Sequence, residues 1–131
     1  MLVADSIADE VLAKVAARAA EWVPADPLLP GTRMGPLVDA RALGRVERQL
    51  ADGLVAGGRV LAGGHRVREA SGGPYFAPTV VADLAPESPL VREELFAPIL
   101  SVLRFADEAE ALRLANDTAY GLAAAVWTRD L

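Results

Sequence analysis

The sequence predicts an α/β fold, a mainly parallel sheet flanked by helices. Three observations carry that reading. Two amphipathic stretches at helical spacing come first, then short β-rich runs at 59–62, 79–84 and 99–105. A further helical stretch separates the last of these from an apolar run at 122–128. Strands divided by helices pair in parallel, because the crossover needs a dozen or more residues that a helix supplies. Apolar residues make up 53% of the 131-residue chain, which suits one domain with a buried core and argues against disorder.

Leu2, Val3 and Ala4 read as a short strand, consistent with the tail of one that starts before Met1. Ser6 is the expected N-cap of the first helix, and Asp9 suits the positive end of its dipole. Ile7, Val11, Leu12, Val15, Ala16, Ala19 and Trp22 recur at helical spacing and are expected to form the inward face. The helix ends before Pro24, and the proline-studded run 25–31 is a loop. Asp39 is the next N-cap, followed by an apolar stripe of Leu43, Val46, Leu50 and Leu54. Gly57 and Gly58 stop that helix, and Gly63 with Gly64 turns the chain after the strand 59–62.

The cluster 71–74 is a second turn, and 79–84 is a strand with a β-branched start. A short helical turn is expected over 91–95 after Pro89. The run 99–105 is the strongest strand signal in the chain. Asp107 caps a last helix with Glu110 as its capping-box partner; Leu112 and Ala115 are expected to face inward, and Asn116 to stop it. The apolar run 122–128 reads as a buried strand.

Net charge is −5, with a single lysine, Lys14, and no contiguous Lys/Arg cluster, so no nucleic-acid footprint is present. The absence of cysteine removes disulfides, thiolate metal sites and cysteine nucleophiles from these residues. The opening MLVADSIADE has no basic segment before an apolar one, unlike a secretory signal. The run 121–127 is far shorter than the roughly 20 residues needed to span a bilayer. A soluble, cytoplasmic protein with neither nucleic acid nor membrane as partner is the expectation.

Two glycine-flanked features have plain readings. The spacing of 58–63 matches G-x-x-x-x-G, but Gly64 and His65 follow where a phosphate loop needs Lys and Ser/Thr, and a helix precedes it. It reads as a turn. His65, the only histidine, has no second ligand type at metal spacing and reads as a solvated loop residue.

The stretch REELFAPIL (92–100) is more specific. Two adjacent glutamates are equally consistent with a solvated helix end. The order is the distinctive part: acid, apolar spacer, aromatic, then proline before a strand. Glu94 can accept hydrogen bonds from a pair of ribose hydroxyls, and Phe96 can offer an apolar wall to a flat heterocycle.

REELFAPIL resembles the E-E-(I/L)-F-G-P segment of the aldehyde dehydrogenase superfamily. DPL (26–28), MGPL (34–37), RVLAGG (59–64), YF (75–76), PTV (78–80), ANDT (115–118), YGL (120–122) and WTRDL (127–131) resemble other family segments in family order. The resemblance implies that residues 1–131 are part of an aldehyde dehydrogenase catalytic domain, about a quarter of a full-length member. It implies NAD or NADP as cofactor, a small-molecule aldehyde as substrate and a homo-oligomeric full-length enzyme. By position, Glu94 would hold the nicotinamide-side ribose and Phe96 would pack beside it. Glu93 would be a surface charge, and Pro98 would fix the start of the next strand. Asn116, Tyr120 and Gly121 would be structural. Where the family has glycine this chain has Ala97, a cost only if that backbone needs a positive φ or a close approach to the cofactor.

Family chemistry implies a cysteine thiolate attacking the aldehyde, a glutamate base that activates water, and an oxyanion site. No catalytic residue of that set lies in this chain. The cysteine is expected a handful of residues before Met1, the cofactor domain further upstream, and covering and oligomerisation elements beyond Leu131. GGPYFAPT (72–79) and AAAVWTRDL (123–131) look like members that oxidise amino-aldehydes or betaine aldehyde. Two other readings stand beside the enzyme: an inert, truncated relic or partner-binding fragment, and a free-standing nucleotide-binding domain.

Overall fold

The computed structural model describes residues 1–129; Asp130 and Leu131, the end of the WTRDL match, lie outside the described residues. In chain order the elements are β1 (Leu2–Ala4), α1 (Asp5–Ala20), α2 (Ala40–Val55), β2 (Arg59–Ala62), a 3-10 turn (Glu69–Ser71), β3 (Thr79–Ala82), α3 (Pro89–Arg92), β4 (Ile99–Ser101), β5 (Leu103–Phe105) and α4 (Glu108–Asn116).

β3 organises the fold. All four of its residues are buried, and they alternate between two cores. Val81 joins Leu43, Val46 and Leu50 of α2, with Phe76 and Leu90, on one face. Val80 and Ala82 join Ala8 and Leu12 of α1, with Val3 and Val102, on the other. A strand covered on both faces carries no polar alternation, which is why TVVA is continuously apolar after its first residue. Thr79 is buried with its hydroxyl donating to the Ala77 carbonyl at 2.7 Å and accepting from the Gly64 N–H at 2.8 Å.

β3 pairs antiparallel with β2 and parallel with β4, in the register Thr79 with Ile99. β1 pairs parallel with β5, in the register Leu2 with Leu103. Two of the three ladders are therefore parallel, within an α/β arrangement. The expected single strand over 99–105 is divided at Val102. The Val102 N–H still bonds to Val81 of β3 at 2.9 Å, whereas the Leu103 N–H bonds to Met1 at 3.0 Å. One extended run thus serves two partners in succession, because β3 is too short to pair its whole length.

α2 follows its sequence signals. The Asp39 carboxylate accepts from the Ala42 N–H at 2.7 Å, and Leu43, Val46 and Leu50 are buried; Leu54, at 39% exposure, lies outside the core stripe. α1 differs in its start. It begins at Asp5 directly after β1, with Ala4 in the cap position and no side-chain cap, so Ser6 is inside the helix. Pairing of β1 with β5 runs to Ala4, which forces the turn into helix before the hydroxyl is reached. Its buried face is Ala8 and Leu12, with Val11, Val15 and Ala19 packed around them; Ile7 and Trp22 are 52% and 39% exposed. The small Ala8 brings the helix close to the sheet, and the bulkier Ile7 is left on the flank.

α3 starts three residues after Pro86 rather than spanning 91–95. Ser88 caps it by accepting from the Leu90 N–H, and Pro89 is preset for the first helical position. In α4, Asp107 accepts from the Glu110 N–H at 2.8 Å, while Glu110 accepts from Ala106 at 2.9 Å, one residue before the cap. Leu112 and Ala115 are exposed, and Ala111 with Leu114 are the half-buried pair. The helix is turned by one position because Leu114 packs onto the first core.

The run 122–128 is not a buried strand. It carries no ladder, and Leu122, Val126 and Trp127 are 101%, 85% and 90% exposed. Continuous apolarity signals a surface that needs a cover, but no edge among the described residues takes this segment. No helix among the described residues is long and apolar enough to cross a membrane.

Candidate functional site

The segment between α3 and β4 carries Glu94 and Phe96. After Arg92 the chain turns extended, with Glu93 at φ −106° and ψ 151°. Leu95 and Ala97 pack against the first core, which leaves Glu94 and Phe96 exposed. Phe96 is 80% exposed and lies at φ 48°. A non-glycine residue in the left-handed region costs roughly 1–2 kcal/mol. Its flanks hold it there: on the downstream side, the Pro98 carbonyl accepts from the Thr79 N–H at 2.8 Å and the Ile99 N–H turns back to Ala97 at 2.7 Å.

The positive φ falls on Phe96 and not on Ala97. The methyl of Ala97 packs inward against the core, so alanine in place of the family's glycine meets no backbone conflict at its own position.

Upstream, two contacts fix the stem. Gln49 of α2 donates to the Glu93 carboxylate at 2.8 Å. Arg92 grips Asp117 at the end of α4 with its fork, donating to the two carboxylate oxygens at 2.9 and 2.6 Å and to the backbone carbonyl at 2.7 Å. Glu94 makes no hydrogen bond or ion pair among the described residues. Glu94 and Phe96, two residues apart, are both exposed. Beside them an apolar cleft of about 490 Å³ opens between the strand starts and α1, lined by Ala97, Pro98, Ile99, Val15, Trp22 and Met34 among others. Neither Glu94 nor Phe96 lines this cleft, which begins at the residue that follows the ring.

The model of the "Aldehyde dehydrogenase family" matches residues 1–131. The chain belongs to the aldehyde dehydrogenase family. It is 44% identical over 131 residues to the NADP/NAD-dependent aldehyde dehydrogenase PuuC of Escherichia coli (strain K12), covering 100% of this chain and 26% of that protein. It is 43% identical over 125 residues to a 3,6-anhydro-alpha-L-galactose dehydrogenase of Streptomyces coelicolor, covering 94% of this chain and 25% of that one. Among solved structures, an indole-3-acetaldehyde dehydrogenase complexed with NAD+ superposes with a TM-score of 0.96 at 42% identity, over 99% of this chain and 26% of that chain. The gamma-glutamyl-gamma-aminobutyraldehyde dehydrogenase of Burkholderia cenocepacia J2315 gives 0.94 at 46% identity, with the same coverage. The chain therefore spans about a quarter of the length of the family members it matches.

Other sites singled out by sequence or shape are chemically occupied. His65 is exposed, with Nδ1 3.0 Å from the Gly63 carbonyl. The 58–63 spacing is a turn and a strand: Gly58 follows α2, β2 occupies the middle, and Gly63 turns with φ 70°. A second depression, about 290 Å³, lies under α4. Its Asp83 pairs with Arg59 at 2.6 Å, its Arg104 with Asp9 at 2.6 Å, and its Glu110 accepts from Ala106. No group of three or more His, Cys, Asp or Glu among the described residues is placed to hold a metal ion.

Sequence reasoning singled out Glu94 and Phe96 but did not anticipate the contacts that Arg92, Asp117 and Gln49 make around them. No local signal links them, since 25 residues separate Arg92 from Asp117 and 44 separate Gln49 from Glu93.

Among the described residues three carboxylates titrate low, one of them Glu10 through its hydrogen bond with Lys14. Hydrogen bonding from Arg92 holds Asp117 below its ordinary value, and hydrogen bonding from Arg66 does the same for Glu47. A depressed folded pKa means stabilisation that is complete above the unfolded value and lost as pH falls through it towards the folded one. Stability is thus expected to hold at neutral pH and to decline between about pH 5 and 2. Asp117→Asn should flatten part of that acid limb in a melting-temperature profile, and an unchanged slope would refute the assignment.

Proposed function

We propose that this chain is part of the catalytic domain of an NAD(P)-dependent aldehyde dehydrogenase and forms one wall of its cofactor site. The enzyme oxidises an aldehyde to a carboxylic acid, with an amino-aldehyde as the favoured class. The observation that carries the reading is the exposed, unpartnered Glu94 carboxylate two residues from a Phe96 ring that is 80% exposed on a left-handed backbone. A free carboxylate suits the adjacent hydroxyls of a ribose, acting as a double acceptor, and a fixed exposed ring suits the face of a heterocycle. Those residues fit the nicotinamide end of the cofactor.

Glu94 would hold the sugar of the bound cofactor, and Phe96 would exclude water beside it. The bound nicotinamide supplies the hydride acceptor. The family's cysteine nucleophile is not among these 131 residues, which contain no cysteine. Cytoplasmic location and a homo-oligomeric full-length enzyme belong to the same proposal.

Calorimetry tests it. The full-length enzyme carrying this segment should bind NAD+ or NADP+, and Glu94→Gln should weaken that binding. The 131-residue chain alone should show no measurable heat with either, because a single ribose contact cannot offset the freedom lost on binding. Unaltered binding in Glu94→Gln would defeat the reading.

The exposed Leu122, Val126 and Trp127 favour a second reading for the isolated chain, that of an inert fragment that associates through its uncovered apolar surface. Sedimentation of residues 1–131 should then show self-association that grows with concentration. A monomer with a sharp, reversible melt would refute it.

A further inference from the structure

We propose that Arg92 and Asp117 are a positioning pair that holds Glu94 and Phe96 in register with the cofactor, an inference that rests on the cofactor-wall reading above. The stretch that needs holding is bare of main-chain support. None of the amide N–H groups of residues 94–97 donates to a partner among the described residues. Within it sits the left-handed Phe96, and such a backbone persists only where its surroundings over-determine it.

The downstream flank is secured by the sheet, through Pro98 and Thr79. The upstream flank is α3, a helix of only four residues, too short to be rigid unaided. What makes its end a fixed point is the Arg92 fork. Three hydrogen bonds, at 2.6, 2.7 and 2.9 Å, join it to both carboxylate oxygens and the carbonyl of Asp117. A planar guanidinium bound at two edges cannot swivel as a single-point ammonium can. Asp117 is itself the C-terminal cap residue of α4, so the pair ties two helix ends into one frame. The Gln49 contact to Glu93 adds a brace from α2. Glu94 is the next residue along.

The pair acts through Glu94, which sets the test. In the full-length enzyme, Arg92→Lys keeps the charge and removes the fork. It should raise the NAD+ dissociation constant about tenfold while leaving the aldehyde KM unchanged. In a Glu94→Gln background the same change should add much less than its full effect, because one of the two groups it positions is already gone. Asp117→Asn, which keeps the backbone carbonyl contact, should show a smaller effect in the same direction and stands in if Arg92→Lys fails to fold. Asp117→Glu should restore part of the affinity. Two failures are distinguishable. If Glu94→Gln leaves NAD+ affinity unaltered, the cofactor-wall reading falls. If Glu94→Gln weakens binding but Arg92→Lys does not, or adds its full effect on top, the positioning pair falls and the wall stands.

Discussion

Replacing Glu94 by glutamine in the full-length enzyme is expected to lower kcat/KM for NAD+ by roughly 10- to 100-fold, with the aldehyde KM little changed. A hydrogen bond to a charged group contributes about 1.5–3 kcal/mol, and each 1.36 kcal/mol or so is a factor of ten in rate. Glutamine keeps one acceptor oxygen but turns the other position into a donor facing a hydroxyl. The loss should fall on the cofactor alone, since Glu94 makes no side-chain hydrogen bond or ion pair among the described residues that its removal would break. For the same reason the melting temperature should stay close to that of the parent. A variant that instead unfolds, or one whose aldehyde KM moves while its NAD+ KM does not, would assign Glu94 a different role.

The largest stability effect is expected at Gly63. A Cβ there would lie 2.1 Å from the Pro78 carbonyl oxygen and 2.7 Å from the Thr79 hydroxyl, at φ +70°. Gly63→Ala therefore meets a left-handed backbone and a collision with main chain that cannot rotate aside. Together these should cost about 2–4 kcal/mol, measured by denaturant unfolding. Gly72 is the control, since it has φ +69° with nothing within 4 Å. Gly72→Ala should lose only about 1 kcal/mol. Equal losses at the two positions would show that backbone strain, and not close approach, sets the cost. The damage at Gly63 should also reach the site, because Thr79 carries the hydrogen bond to Pro98 that anchors the downstream side of Phe96.

How much of this was legible in the residues depends on the reach of each interaction. α2 was readable almost whole: a cap at Asp39, a stripe through Leu43, Val46 and Leu50, and Gly57 with φ 99° just past its end. Those signals act over one to four residues, so the chain states them locally. The order of Glu94, Phe96 and Pro98 is likewise local, and alternation with the half-buried Leu95 and Ala97 leaves acid and ring exposed. Family membership rests on such short patterns repeated in order along the chain.

Other features came only from contacts between distant residues. The break at Val102 exists because β3 and β1, about 20 and 100 residues away in sequence, each claim part of one extended run. α1 turns Ala8 rather than Ile7 inward because the sheet beneath it admits a methyl at the closest approach. The positive φ sits on Phe96 and not on Ala97, and the Arg92 fork closes on Asp117 because the ends of α3 and α4 meet in space. Caps, turns and periodicity are properties of neighbours in the chain and were decided by the sequence alone. Register, the rotation of a helix and the pairing of charges belong to neighbours in space, and folding had to bring those together first.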